Sequence, residues 1–578
     1  MTGNAPGLPE DRAGDATFDV VVVGSGAAGM TAALAAADAG LRTVVVEKAA
    51  HFGGSTARSG GGLWVPNNEV LRRAGAPDSP ELASRYLEHL VGDLVPAEHR
   101  RALLSAGPAM LSFVCAHTPL RFTWVRGYSD YYPEAPGGLA EGRTVEPVPL
   151  DGRVLGAELA KLNPPYVAPP SGMTVTAAEY RWLNLIARHP RGMLTAARVS
   201  LRRIVSLARR RQLLALGQAL AAGLRAGLQR AGVPVWLATP LVDLHVEAGR
   251  VAGVVVLRNG AEVLLRARHG VILASGGFEH NERMRKQYQR KPIGTEWTVG
   301  AAENTGDGIE AGQRLGAAVA LMEDAWWGPS IPLSGGPYFC LSERTLPGCI
   351  MVNAAGRRFV NEAAPYVDAV HAMYAGNETG VSHIPAWLIA DQRYRNRYTF
   401  AGLPPRQRFP GRWYKAGAVY SAGSIEDLAR LIDVPGDELR ATVRRFNGFA
   451  HAGRDEDFHR GESAYDHYYG DPRLPNPSLA PLEQAPFHAV RIVPGDLGTK
   501  GGLRTDAHAR VLREDGTVIP GLYAAGNASA AVMGHTYAGA GATIGPAMTF
   551  GYLAALDIAA RAQVAAEPAR RPGPTRRA

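Results

Sequence analysis

The stretch HTYAGAGATIGPA, residues 535–547, sets Tyr537 before two single-spaced glycines, Gly539 and Gly541, and holds neither an acid nor an arginine or lysine. Sites for anionic ligands ordinarily use an arginine, whose planar fork pairs with a carboxylate. Its absence predicts a neutral ligand. Tyr537 offers a neutral phenol hydroxyl, and the glycines leave the backbone beside it bare.

A second chemical unit lies near the other end of the chain. Phe18 to Val23 is a short apolar run, and GSGAAG then puts Gly24, Gly26 and Gly29 in GxGxxG spacing. An alanine-rich helix from Met30 to Ala39 follows, and a strand over 43–46 ends on Glu47. The first glycine permits the turn, the second lets backbone N–H groups approach a pyrophosphate, and the third allows the helix to pack on the strand. Ser25, Ala27 and Ala28 complete that turn, Glu47 is placed to accept hydrogen bonds from a ribose diol, and Lys48 sits beside it. Strand, glycine turn, helix, strand and acid in this order predict dinucleotide binding.

The elements around these two units decide between cofactors. HFGGSTARSGGGLWVPNN puts Gly54, Ser55, Thr56, Ser59, Gly60, Gly61 and Gly62 straight after the second strand, a run that can lay backbone donors along a long, bent cofactor. The sequence here resembles FAD enzymes. GVILASGGFEHN contributes Ala274 and Gly276, GTVIPGLYAAGNASA contributes Gly526 and Asn527, and Ala542 and Ile544 continue the last loop, all expected at the same cofactor. The two distant glycine-rich returns predict a discontinuous Rossmann-like α/β FAD-binding domain, residues 17–294 and 494–565, around an inserted α+β catalytic domain, residues 295–493. Residues 1–16 and the basic tail 566–578 are expected to be flexible.

The composition narrows the class. At 578 residues the chain suits two or more domains, and 46% hydrophobic with 20% charged residues is globular. The net charge of +9 is concentrated at Arg209 to Arg211 and in the tail at Arg570, Arg571, Arg576 and Arg577, without interleaved aromatic residues, so no nucleic acid partner is expected. The 3 cysteines form no CxxC pair, so neither a disulfide framework nor a cysteine-bound metal is indicated. The N-terminus lacks an apolar signal core and no run is long enough to span a bilayer, which predicts a cytoplasmic protein. LRRIVSLARRRQLLALGQALAAGLRAGL, Leu201 to Leu228, reads as an amphipathic helical pattern, packed on its own protein or laid on an acidic membrane surface.

NAAGRRFVNEAAPY, residues 353–366, resembles the fumarate reductase and succinate dehydrogenase flavoproteins, but Tyr366 stands where the reductases place an arginine. With GYSDYYPEAPGG (127–138), DAWWGP (324–329), PGDLGTKGG (494–502) and HTYAGAG, nearly the whole chain resembles the 3-ketosteroid Δ1-dehydrogenases. The resemblance implies FAD as hydride acceptor, a 3-ketosteroid substrate and reoxidation by a quinone or another electron carrier. It implies that Tyr366 is the base, that Tyr131 or Tyr132 supports it, and that Tyr537 and the Gly541 N–H hold the ketone. Trp326, Trp327, Phe122 and Trp124 are expected either in plain core or along an apolar cleft, Tyr338 as wall, and His535 as a structural or flavin-neighbouring residue. Two departures are evident: Ala538 replaces the family's proline, and residues 188–216 form an extra basic amphipathic segment. The nearest alternative is a 3-ketosteroid Δ4-dehydrogenase; a flavoprotein that modifies RNA is more remote.

Overall fold

The computed structural model describes residues 16–167 and 172–566. The expectations for the N-terminal segment through residue 15 and for the tail from residue 567 lie outside the described residues. The first strand, β1 (Ala16–Val23), pairs in parallel with β2 (Thr43–Val46), Val22 opposite Val45, and helix α1 (Ala27–Asp38) crosses between them. Covered on both faces, Val20 to Val22 and Val44 to Val46 are fully buried. That is why the run reads as continuous valine instead of an alternating pattern. Nearly every residue of α1 is buried as well, which suits its small alanines.

The leucine- and arginine-rich stretch is two helices instead of one. Helix α2 (Pro190–Ala208) ends before Arg209 to Arg211, and α3 (Leu216–Arg230) starts anew. Between them Arg210 and Leu216 take positive φ, which no continuing helix allows, and Leu213–Leu214 pairs with Leu150–Asp151. The halves also differ in burial. Gly217 and Ala219 to Leu228 are core, whereas Met193, Leu194, Leu201, Ile204 and Leu207 of α2 face outward.

The first sheet continues through β3 (Val235–Trp236) at the β2 edge, and a meander, β4 (Leu241–Glu247), β5 (Arg250–Arg258) and β6 (Ala261–Leu273), returns beside β1. The last of these is long because its two halves do different work. Ala261 to Arg266 pairs antiparallel with β5, and Gly270 to Leu273 runs parallel with β1.

A second, antiparallel sheet is built from β7 (Ala325–Leu333), β8 (Gly336–Phe339), β9 (Cys349–Val352), β10 (Ala386–Asp391), β11 (Val419–Ala422) and the 13-residue β12 (Phe487–Thr499), with helix α4 (Tyr366–Asn377) packed on β7. The chain then returns to the first sheet as β13 (Arg510–Leu512) and β14 (Val518–Ala524), Leu522 pairing with Val271, and closes with α5 (Ile544–Ala566) against α1. Tyr366 opens α4 and Tyr537 lies just before α5, so each rests on the first turn of, or the loop into, a packed helix.

Candidate active site

A single cavity of about 760 Å³ runs from the turn after β1 to a cluster of tyrosines beside α4. At one end it is lined by Gly24, Ser25, Gly26, Ala27 and Ala28 with Glu47 and Lys48, so the N-terminus of α1 faces it. Gly24 has φ +106°, and a Cβ there would lie 2.2 Å from the Ala274 carbonyl oxygen. Gly29 is not on the wall; a Cβ there would come within 2.0 Å of the Gly24 carbonyl, so it serves the helix-to-strand contact. The Glu47 carboxylate accepts from the Ser25 N–H (2.9 Å), the Ser25 hydroxyl (2.6 Å) and the Ala49 N–H (2.9 Å). Burial raises its pKa while these donors pull the other way.

The glycine run forms the middle of the wall. Gly54, Ser55, Thr56, Ser59, Gly60, Gly61 and Gly62 all line the cavity, as do Ala274, Gly276, Gly526, Asn527 and Ile544. A Cβ on Gly61 would meet the Leu216 backbone at 2.3 Å, so α3 seals the outside of this cradle only because no side chain stands there. Thr56 Oγ1 accepts from the Ala27 N–H, and Lys48 Nζ donates to Thr305 and Asp307. A helix N-terminus, a buried acid directly after the second strand's valines and a wall of bare backbone fit FAD. Ala542 departs from the expectation. It is fully buried beside Val532 and Pro546, behind the wall that Gly541 and Thr543 form.

At the far end three phenols meet. The Tyr131 hydroxyl donates to that of Tyr366 at 3.0 Å, and the Tyr366 ring packs edge-on against Tyr537. Their rings lie 5.1–5.4 Å apart centre to centre. Thr543 Oγ1 also donates to the Tyr537 hydroxyl, at 3.0 Å, and the Gly541 N–H is directed at the same oxygen. All three tyrosines are buried and line the cavity. Burial pushes the Tyr366 phenol well above its usual pKa, with the Tyr131 donation acting against it. Burial likewise raises Tyr537, opposed by Thr543, Tyr366 and the Gly541 amide.

Of the two adjacent tyrosines only Tyr131 reaches this cluster. Tyr132 turns away and donates to Asp368 Oδ1 at 2.9 Å, in the first turn of α4. Trp326, Trp327, Phe122 and Trp124 do not line the cavity either. Trp326 packs edge-on against Tyr537 and donates to Asn527, backing the wall from behind, whereas Trp327 donates to Asp324 and packs against Tyr374. The apolar lining comes instead from Tyr128, Tyr338, Phe339 and Tyr469, with Tyr180 and Leu341. His535 is half exposed and bonded to Glu323, away from the cavity. Thr543, Asn304 and Tyr128 went unremarked in the sequence; Tyr128 stood in plain view, as the first of three tyrosines in GYSDYY.

Comparison with known proteins bears on the same residues. The FAD binding domain family matches residues 19–544. The chain is 59% identical to the 3-oxosteroid 1-dehydrogenase of Mycolicibacterium smegmatis, over 94% of this chain and 98% of that one. It is similar to the structure of 3-ketosteroid delta1-dehydrogenase from Sterolibacterium denitrificans in complex with 1,4-androstadiene-3,17-dione, at 42% identity and a TM-score of 0.90 over 94% of this chain and 100% of that one. The 3-ketosteroid-delta4-(5alpha)-dehydrogenase from Rhodococcus jostii RHA1, at 22% identity and a TM-score of 0.66 over 95% and 98% of the two chains, shares the fold. The chain therefore belongs to the 3-oxosteroid 1-dehydrogenase family of FAD-binding proteins.

Proposed function

We propose that this protein desaturates carbons 1 and 2 of a 3-ketosteroid with FAD. The observation that carries the reading is the convergence of three phenols and one glycine amide on a neutral, buried stretch of wall continuous with the dinucleotide cradle. FAD, when bound, accepts the hydride that leaves carbon 1. Tyr537 O–H and the Gly541 N–H would hold the 3-keto oxygen and stabilise the charge it gains as the carbon 2 proton leaves. Tyr366 would take that proton. Tyr131 supports it by donating to the phenol oxygen, which favours the deprotonated form. A quinone or another electron carrier would then reoxidise the cofactor. The test is product identity: 4-androstene-3,17-dione should yield a 1,2 double bond by mass and NMR. A 4,5 double bond formed from a 5α-saturated 3-ketosteroid, with no 1,2 product, would move the assignment to carbons 4 and 5.

The tyrosine assignment fixes the sign of the pH dependence. Tyr366 must lose its proton to act as base, and burial holds its pKa above the ordinary phenol value. kcat/KM should therefore climb with pH through the neutral range and on into alkaline solution. Because the Tyr131 donation lowers the Tyr366 pKa, Tyr131→Phe should displace that rise to still higher pH. An unmoved profile in the variant would remove Tyr131 from the base.

Peripheral contact with an anionic membrane belongs to the same reading. Among the described residues no helix is long and apolar enough to cross a membrane. On α2, Met193, Ala197, Leu201, Ile204 and Ala208 share one outward face at helical spacing, with Leu201 and Ile204 61% and 62% exposed. Arg198, Arg209, Arg210 and Arg211 flank it, the pattern of an interfacial helix. The opposite side of α2 braces the cavity wall, Arg202 donating to the Thr174 carbonyl at 2.9 Å. The protein should sediment with anionic vesicles, and Leu201→Glu with Ile204→Glu should release it. Equal sedimentation of the double variant would withdraw the contact.

A further inference from the structure

Beneath the cavity wall lies a carboxyl group that the proposed chemistry leaves unused. Glu279 is fully buried, and room for it is made by Gly277 of its own loop and Gly300 of another: a Cβ on either would sit 2.7 or 2.5 Å from its oxygens. Its Oε1 accepts from Asn304 Nδ2 at 2.7 Å, and its Oε2 has no hydrogen-bond partner among the described residues. The neighbouring Asp496 is far better served. It accepts from Arg285 (2.8 Å), the Thr298 hydroxyl (2.6 Å) and the Gly498 N–H (2.9 Å). Two carboxylates thus share a dry site with one guanidinium, and Glu279 is the undercompensated one. Also packed there are the Thr499 hydroxyl, the Asn527 amide and His280, whose pKa burial lowers, with the Arg58 guanidinium beyond it on the Val299 carbonyl.

A single side chain separates Glu279 from the cofactor cavity. Asn304 Nδ2 donates both to Glu279 and to Ser55 Oγ, 3.0 Å away, and Ser55 Oγ also accepts from the Ala301 N–H at 2.9 Å. With those two donors on its oxygen, the Ser55 hydroxyl is left with its own proton to give, and both Ser55 and Asn304 line the cavity. A negative Glu279 fixes the Asn304 amide, and through it the Ser55 donor, at the wall.

We propose that Glu279 is a positioning residue for FAD whose protonation is coupled to reduction of the cofactor through Asn304 and Ser55. Reduction by hydride brings two electrons and one proton, so the bound cofactor would gain one negative charge in the cavity that Ser55 and Asn304 line, with the Glu279 carboxylate beneath its wall. Their repulsion is relieved when Glu279 takes one proton from water, forming a single O–H bond. Burial, then the Asp496 charge, already lift the carboxyl to about 7, so the switch falls where solution pH can drive it. This inference rests on FAD binding and not on the steroid assignment.

The test is the midpoint potential of the holoenzyme against pH, with dithionite as reductant and no steroid present. Wild type and Glu279→Gln should coincide on the acid side of about 7, where Glu279 is neutral in both redox states. Above it the wild-type potential should fall more steeply, leaving the variant higher. Parallel curves across the range, or a lower potential in the variant, would overturn the coupling. Should the variant lose FAD, reduced-minus-oxidised infrared spectra of the wild type decide. A carboxylic acid C=O band that shifts on 13C-labelling of glutamate should appear on reduction above neutral pH, and its absence would be contrary.

Discussion

Replacing Tyr366 by Phe should lower kcat by about 10²- to 10⁴-fold, the span that a positioned general base contributes, while the protein stays yellow and folded. The fold should tolerate the change. The ring keeps its edge-on contacts with Tyr131, Tyr537 and Phe339, and only the hydroxyl, held by other tyrosines instead of by backbone, is removed. The loss should appear in kcat and kcat/KM alike, because base and proton meet only in the transition state. KM alone rising would instead make Tyr366 a wall residue. Stopped-flow reduction of FAD by the steroid separates the two, since it reads the chemical step without reoxidation.

Gly541→Ala should damage the site from a different side. Gly541 has φ +93°, outside the range that a residue with a Cβ adopts freely, and that Cβ would lie 2.4 Å from the Gly62 carbonyl. Backbone strain of this kind costs about 1–3 kcal/mol, and the collision is with backbone that cannot swing aside. The loop must therefore move, taking with it the amide directed at the Tyr537 oxygen and the Gly61–Gly62 wall of the cradle. Loss of one oxyanion donor predicts about a 10²- to 10³-fold fall in kcat/KM, accompanied by weaker FAD retention. Both are measurable on the purified variant from the ratio of flavin to protein absorbance and from steady-state rates. A variant with wild-type kcat/KM would show that the amide does not serve the ketone.

The two ends of the site differ in how far they could be read from residues alone. The dinucleotide half was legible because its parts are contiguous: an apolar strand, a glycine turn, a buried helix and an acid fall within 30 residues, each constrained by its neighbour. The uncharged loop preceding a helix pointed to a neutral ligand, but the roles of Tyr537 and Gly541 came from the resemblance. The Tyr131–Tyr366 pair was not legible, since 235 residues separate hydroxyls that lie 3.0 Å apart. Nothing local distinguishes a buried catalytic phenol from a buried structural one, so the resemblance to known enzymes carried both, and left Tyr131 and Tyr132 undivided until the loop's direction was seen.

One misreading has a tertiary root. The leucine and arginine spacing of residues 201–228 continues across the break at 209–215, so periodicity alone joins a solvent-facing helix to a core one. The turn that parts them depends on positive φ at Arg210 and Leu216 and on strand pairing with Leu150–Asp151, which are tertiary constraints. For the tryptophans after Asp324 the sequence left core and cleft both open; β7 places them in core, Trp326 against Tyr537 and Trp327 against Tyr374.

The most direct test of the central claim is anaerobic. Purified holoenzyme mixed with 4-androstene-3,17-dione, unlabelled or deuterated at carbon 1, should lose its oxidised-flavin absorbance in a single turnover. The label should slow that loss, and the product should carry a new 1,2 double bond. Tyr366→Phe should bind the steroid and bleach at least about 100-fold more slowly. Bleaching at the wild-type rate in the variant would strip Tyr366 of its role as base, and no bleaching by the steroid in the wild type would contradict the account as a whole.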